Sequence, residues 1–264
     1  MYEISILKMG QCEVPGPEVY WMSGWNTWET LHFWMVVIRG GGKTIIINTG
    51  PPADLRPMNE VWAHAIDPRS QMQRHDAERP DVALASIGIS ADEVDYVLIT
   101  PLQAYATGNI PLFKNAQICV SRRGWIEDFH APKYEFHIPR RLRIPDDVLL
   151  YLEITAPDKL RLLDDEDEVL PGVQAFWTGV HHRSSMAYVI ETAKGSVVVS
   201  DCFFKYRNVE DRIPLGIMES LEECMIAYKR ISRQGSHLLP LYDPLVTTRL
   251  AQVLRPAEAL NPKR

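Results

Sequence analysis

Within its 264 residues the chain has no run approaching the ~20 consecutive apolar residues of a membrane helix. A membrane partner is therefore not expected. Its formal charge of -6 comes with Lys and Arg scattered along the chain, leaving no basic stripe of the kind that holds nucleic acid. Cys12, Cys119, Cys202 and Cys224 form no C-x-x-C, which excludes a zinc ribbon and a thioredoxin-like motif and reads as reduced thiols. The start, MYEISILKMGQ, lacks a charged leader followed by an apolar run and a cleavage site, so the expected location is cytoplasmic. The most informative gap is local. ITPLQAYATGNIPLF, residues 99 to 113, has the outline of a strand that ends, turns and opens a helix, where α/β proteins concentrate their chemistry. It contains no His, Asp, Glu, Cys or Lys.

What is present alternates between strand and helix signals in the manner of an α/β protein. YEISILK alternates as a short strand, followed by a loop holding Trp21, Trp25, Trp28 and Trp34. HFWMVVIR and KTIIINTG read as two strands around a glycine turn. DVALASIG reads as a helix stopped by Gly88, and Ser90 with Glu93 forms a capping box before the strand at 96–100. AQICVS is the next strand, and 122–158 reads as an irregular or helical insertion within a single domain spanning 1–264. MAYVIETAKGSVVVSDCFF is the clearest hairpin, SLEECMIAYKRI an amphipathic helix, and HLLPLYDP a last strand running into a loop.

The order of these signals resembles the metallo-β-lactamase superfamily, in particular its N-acyl homoserine lactonase-like branch. The resemblance implies an α/β fold, an αββα sandwich of two mixed β-sheets flanked by helices. The family motif T-H-x-H-x-D-H-x-G-N has Thr100, Gly108 and Asn109 at its ends here, whereas its ligand places hold Pro101, Gln103, Tyr105 and Ala106. Asn48 stands in IIINTGPP where the family has Asp. Thr178-Gly179-Val180-His181 resembles T-P-G-H, VVVSDCFF resembles the strand ending in the bridging Asp, and LPLYDP has Tyr242 in place of the final His. The resemblance thus retains His181 and Asp201 from seven ligands. A structural zinc site takes four protein ligands, and a catalytic one takes three and keeps a fourth position open. At most one divalent ion, zinc by preference, is expected on His181 and Asp201, and no dinuclear site.

The leading expectation is a divergent hydrolase of a small ester, lactone or related acyl compound, using a rebuilt site of His181, Asp201, Tyr242, Tyr105 and Gln103. His181 would serve as base, Asp201 as its orienting carboxylate, and Tyr105 or Tyr242 as phenolic donor. The alternatives are a metal-free ligand-binding protein or pseudoenzyme on the same scaffold, and a metal-independent lyase or isomerase. Trp21, Trp25, Trp28 and His182 are expected to contact an apolar part of the small-molecule ligand, with a homodimer contact as the other use of the Trp cluster. Cys202 is expected to be a packed thiol rather than a nucleophile. Gly108 is expected to supply tight or left-handed geometry.

Overall fold

The computed structural model describes residues 1–130 and 139–255; within the insertion, 131–138 lie outside the described residues. Two strands open the chain, β1 (Glu3–Pro15) and β2 (Trp28–Gly40), and both are longer than the sequence pattern suggests. A bulge between Lys8 and Gln11 carries β1 past the expected stop and keeps it paired with β2 as far as Pro15 opposite Trp28. Pairing of this kind takes Trp28 out of the expected loop and into the sheet.

Gly41 and Gly42, both at positive φ, make the two-residue turn into β3 (Lys43–Ile47), since only such residues match the twist of a tight hairpin. Parallel strands β4 (Tyr96–Leu98), β5 (Gln117–Ser121) and β6 (Leu160–Leu163) complete a mixed sheet in the order β1-β2-β3-β4-β5-β6. The second sheet runs β11-β10-β9-β8-β7, from β7 (Glu166–Leu170), β8 (Val173–Trp177), β9 (Met186–Thr192), β10 (Gly195–Ser200) and β11 (His237–Pro240). Its β10–β11 pair is parallel and the rest antiparallel. β2, β3, β9 and β10 supply near-continuous buried apolar stretches, among them Val36, Ile46, Ile190 and Val198, as strands covered on both faces require. Among the described residues no helix is long and apolar enough to cross a membrane.

Four short helices join the strands of the first half of the chain: α1 (Gly16–Val19), α2 (Arg56–Ala65), α3 (Pro80–Ser86) and the one-turn α4 (Ala104–Thr107). α3 stops just ahead of Gly88, in keeping with the sequence pattern, and the Ser90–Glu93 capping box closes the following 3-10 turn. The expected helix after Asn109 is a single 3-10 turn, Ile110–Leu112, because the turn that fills the corner, α4, comes earlier.

The corner is held by amides in place of charges. Asn48, at the end of β3 with φ 62°, tolerates the left-handed conformation better than most side chains. Its Nδ2 donates to the Thr100 carbonyl at 2.8 Å, and its Oδ1 accepts from the Thr100 amide at 2.9 Å. Asp in this place could make only the second of these bonds. Asn109 donates to the carbonyls of Thr49 and Pro51 at 2.9 and 2.8 Å, tying the end of the corner to the turn after β3.

Gly108 corrects the expectation about it. Its φ is -59°, an ordinary right-handed value. What it supplies is close approach, because a Cβ there would sit 2.2 Å from the Pro52 nitrogen and 2.6 Å from the Pro51 carbonyl carbon. Neither backbone atom can swing aside. Gly108→Ala is accordingly expected to destabilise the fold by roughly 1–3 kcal/mol through overpacking, read as a lowered urea midpoint with unchanged slope.

Candidate active site

A cavity of about 550 Å³ opens between the ends of the two sheets. One wall is a single face of the β1–β2 ribbon. Cys12 and Val14 alternate along β1, Leu31 and Phe33 along β2, and Cys12 pairs directly with Leu31. Trp62 and Ile66 at the end of α2 also line it, with Phe204 and Met218. Tyr105, His181 and Tyr242 converge there from three separate parts of the chain.

Each is delivered by local structure. Tyr105 lies on α4, where every residue is buried, directly after the cis Thr100–Pro101 bond and Gln103. Tyr242 follows β11, and the carbonyls of Leu241 and Tyr242 accept from the amides of Trp34 and His32, so this segment bridges the second sheet to β2. His181 and His182 stand on the loop between β8 and β9. Arg183 braces that loop by pairing with Glu127 at 2.9 Å and Glu223 at 2.6 Å, its guanidinium 4.5 Å from the Trp177 ring centre.

The ring of His181 is oriented by a carbonyl. Its Nδ1 lies 3.2 Å from the Ile217 oxygen, which can only accept, so Nδ1 carries the proton and Nε2 presents a lone pair. That lone pair faces the Tyr105 hydroxyl at 3.1 Å. His182 Nε2 is 3.5 Å from the same hydroxyl. Burial pushes His181 down to about 4, with the Ile217 bond opposing, so the imidazole is neutral at pH 7. Tyr105 and Tyr242 are pushed well above their ordinary values, also by burial, and both stay protonated. The Tyr242 hydroxyl is buried with no hydrogen-bond partner among the described residues.

Asp201 does not orient His181. Completely buried, it accepts from the Ser185 hydroxyl at 2.6 Å and is hydrogen-bonded to the Thr100 hydroxyl, joining the second sheet to the corner. Burial raises its carboxyl to about 6 even though both hydroxyls favour the charged form. Ser184 adds a parallel tie, its Oγ accepting from the Leu102 amide at 3.0 Å. The consecutive serines that make these ties carry no signal in the sequence, where only the preceding His-His stands out.

The family's metal ions do not fit this donor set. Asp201 has both oxygens committed to hydroxyls, His181 has both nitrogens facing other groups, and Gln103 and the protonated Tyr105 and Tyr242 are weak ligands for zinc. Among the described residues no cluster of three or more His, Cys, Asp or Glu could hold a metal. In this arrangement both residues expected from sequence to hold a single ion, His181 and Asp201, are engaged with protein groups instead.

Of the expected substrate contacts, His182 lines the cavity and the three tryptophans do not. Trp21 and Trp25 are 43% and 67% exposed, and Trp28 lies beneath the Arg69 guanidinium, 4.1 Å from its ring centre. Gln103 does line the cavity and is buried. The aromatic wall comes instead from Phe33, Trp62 and Phe204, of which alternation along β2 could have flagged Phe33. Two further lining residues, Glu18 on α1 and Ile217, carry no sequence signal. Cys202 is fully buried with its thiol pushed well above the ordinary value by burial, and Cys12 in the cavity wall is pushed up to about 12, so neither is a thiolate.

The two facing sheets with outer helices, and the corner placed at one edge between them, define a metallo-β-lactamase fold. Among curated proteins the chain is similar to the N-acyl homoserine lactonase of Bacillus cereus, 22% identical over 205 residues covering 76% of this chain and 75% of that one. The N-acyl homoserine lactonase of Bacillus thuringiensis is 24% identical over 188 residues, covering 70% and 69%. Among solved structures, an N-acyl homoserine lactone hydrolase with the product N-hexanoyl-L-homoserine at its catalytic metal centre superposes with a TM-score of 0.73 at 19% identity, covering 94% of this chain and 95% of that one. A probable metal-dependent hydrolase from Staphylococcus aureus gives 0.69 at 17% identity, covering 92% and 89%. No family model matches the chain.

Proposed function

We propose that the chain is a lactonase-like hydrolase that binds a small ester, lactone or related acyl compound in this cavity and acts on it without the paired metals of its relatives. The observation carrying the proposal is the Tyr105 hydroxyl 3.1 Å from a His181 nitrogen that presents a lone pair, in a largely apolar cavity. Phe33, Trp62 and Leu31 offer the surface for an acyl chain.

The chemistry starts from competition for one proton. A substrate carbonyl entering beside Tyr105 takes its O–H as donor and stabilises the developing oxyanion there, as a preorganised donor in a dry site does. His181 Nε2 is then free to accept a proton from water attacking the carbonyl carbon, while the Ile217 oxygen stabilises the imidazolium through Nδ1–H. As the tetrahedral adduct collapses and the acyl C–O bond breaks, the imidazolium returns that proton to the leaving alkoxide oxygen. Tyr242, whose hydroxyl has no other partner among the described residues, is the second donor. A neutral imidazole pushed down to about 4 is a weak base, so the rate expected is modest.

The test is turnover of N-acyl homoserine lactones and aryl esters by protein treated with excess chelator. Hydrolysis that survives chelation and rises with pH as His181 is fully deprotonated supports the proposal. Hydrolysis abolished by chelation overturns it. Ligand-induced thermal stabilisation with no turnover supports the binding-protein reading, which the low basicity of His181 favours.

A further inference from the structure

The polar groups around the cavity carry one sign of charge. Glu18 and Glu219 both line it, and among the described residues no Lys or Arg does. Lys205, the cation near the Cys12 wall, points its ammonium to the Thr30 carbonyl and lies 4.0 Å from Glu29. Glu18 itself has no hydrogen bond or ion pair from its carboxyl to any described residue. Burial without a partner raises it to about 7. An ionisable group kept in that state is one that a ligand can pair.

The aromatic side chains add a second, independent observation. Phe33 packs on Tyr105 and Tyr242 with ring centres 5.5 and 5.2 Å apart, on Trp62 at 6.2 Å, and Phe204 packs on Tyr242 at 4.6 Å. All five line the cavity, and the unpartnered Tyr242 hydroxyl belongs to the same group. Aromatic rings lining the same cavity as an unpaired carboxylate, with the His181 imidazole neutral, favour a cation over an anion in that space. An anionic product such as N-hexanoyl-L-homoserine, the product bound in the solved hydrolase, has no Lys or Arg to meet it among the described residues lining this cavity.

We propose that the ligand of this cavity is an acyl compound bearing a quaternary or protonated ammonium group, recognised as a cation by Glu18 and the aromatic wall. The inference rests on the reading that the cavity is the substrate site and names the class of substrate. Specificity then lies in the charged head, and the acyl chain contributes apolar burial.

The experiment is calorimetric titration of the full chain at about pH 8, where a carboxyl of this kind is ionised. Three amides of hexanoic acid serve as stable probes: one ending in trimethylammonium, its carbon isostere ending in tert-butyl, and one ending in carboxylate. The ammonium probe is expected to bind about tenfold more tightly than the isostere, with the carboxylate weakest. Glu18→Gln should remove most of that advantage and leave the isostere's affinity unchanged; Glu18→Asp, which keeps the charge, should restore part of it. Equal affinity for ammonium and isostere, or an advantage that survives Glu18→Gln, overturns the proposal, as does failure of all three to bind. Hydrolysis of neutral esters without preference for a cation leaves the hydrolase reading standing and removes this one. Preferential cation binding without turnover of any ester does the reverse.

Discussion

Asp201→Ala is expected to lower the free energy of unfolding by about 2 kcal/mol, because it leaves the buried Ser185 hydroxyl without its acceptor and leaves the Thr100 hydroxyl only the Met186 carbonyl at 3.1 Å. The more telling variant is Asp201→Asn, which keeps the shape and removes the titration. Burial raises this carboxyl from 3.8 to about 6. The folded chain therefore holds a proton that the unfolded chain has released across that interval, and the stability Asp201 contributes is full below about pH 4 and lost as pH rises through about 6. His181 runs in the opposite sense: lowered from 6.5 to about 4, it contributes stability above about pH 6.5 that is lost as pH falls through about 4. The wild-type profile mixes both slopes, and the difference between wild type and Asp201→Asn isolates the first. In urea unfolding at the two pH values, that difference should be larger at pH 5 than at pH 7.5 by about 1.5 kcal/mol, because for a shift near two units more than half of the loss is already complete at pH 5. An equal difference at both would mean that the carboxyl is ionised throughout.

Tyr105→Phe carries the largest expected effect on activity. It removes the donor to the oxyanion and keeps the ring packed against Phe33 and Trp62. Loss of one such donor lowers kcat by about 10²- to 10³-fold, and KM should stay near the wild-type value because the apolar contacts are intact. The stability cost is one buried hydrogen bond, about 1 kcal/mol, or a fall of roughly 2–4 °C in Tm. The contrast between the two variants is diagnostic. Asp201 acts on folding from inside the sheet junction, and Tyr105 acts on the reaction from the cavity surface. If Tyr105→Phe left kcat unchanged while Asp201→Asn abolished it in folded protein, the proposed roles would be exchanged.

The strand order and the corner were legible because both rest on local patterns. The glycine turn, the Ser90–Glu93 box and the apolar runs of β9 and β10 appear directly in residue order, and Asn48 and Thr100 stand at places the family motifs mark. The partner of each side chain was not legible. Whether Asp201 meets His181 or Ser185 depends on contacts across sheets, and the same residue types permit either. The Ile217 carbonyl that orients His181 is a backbone atom, for which no residue type is a signal. The Trp cluster misled for a related reason. A bulge near Gly10 lets β1 and β2 stay paired out to Pro15 and Trp28, so Phe33 on β2 lines the cavity, while Trp25, ahead of the strand, is exposed.

The closure at the corner has a consequence for the life of the chain in a cell. Asn48, Thr100, Ser185 and Asp201 bring their own donors and acceptors to the junction. On the proposed metal-free reading, the junction is complete as soon as the strands meet. The yield of folded protein is then expected to be equal in zinc-starved and zinc-replete cells, which comparing the soluble chain from both would check.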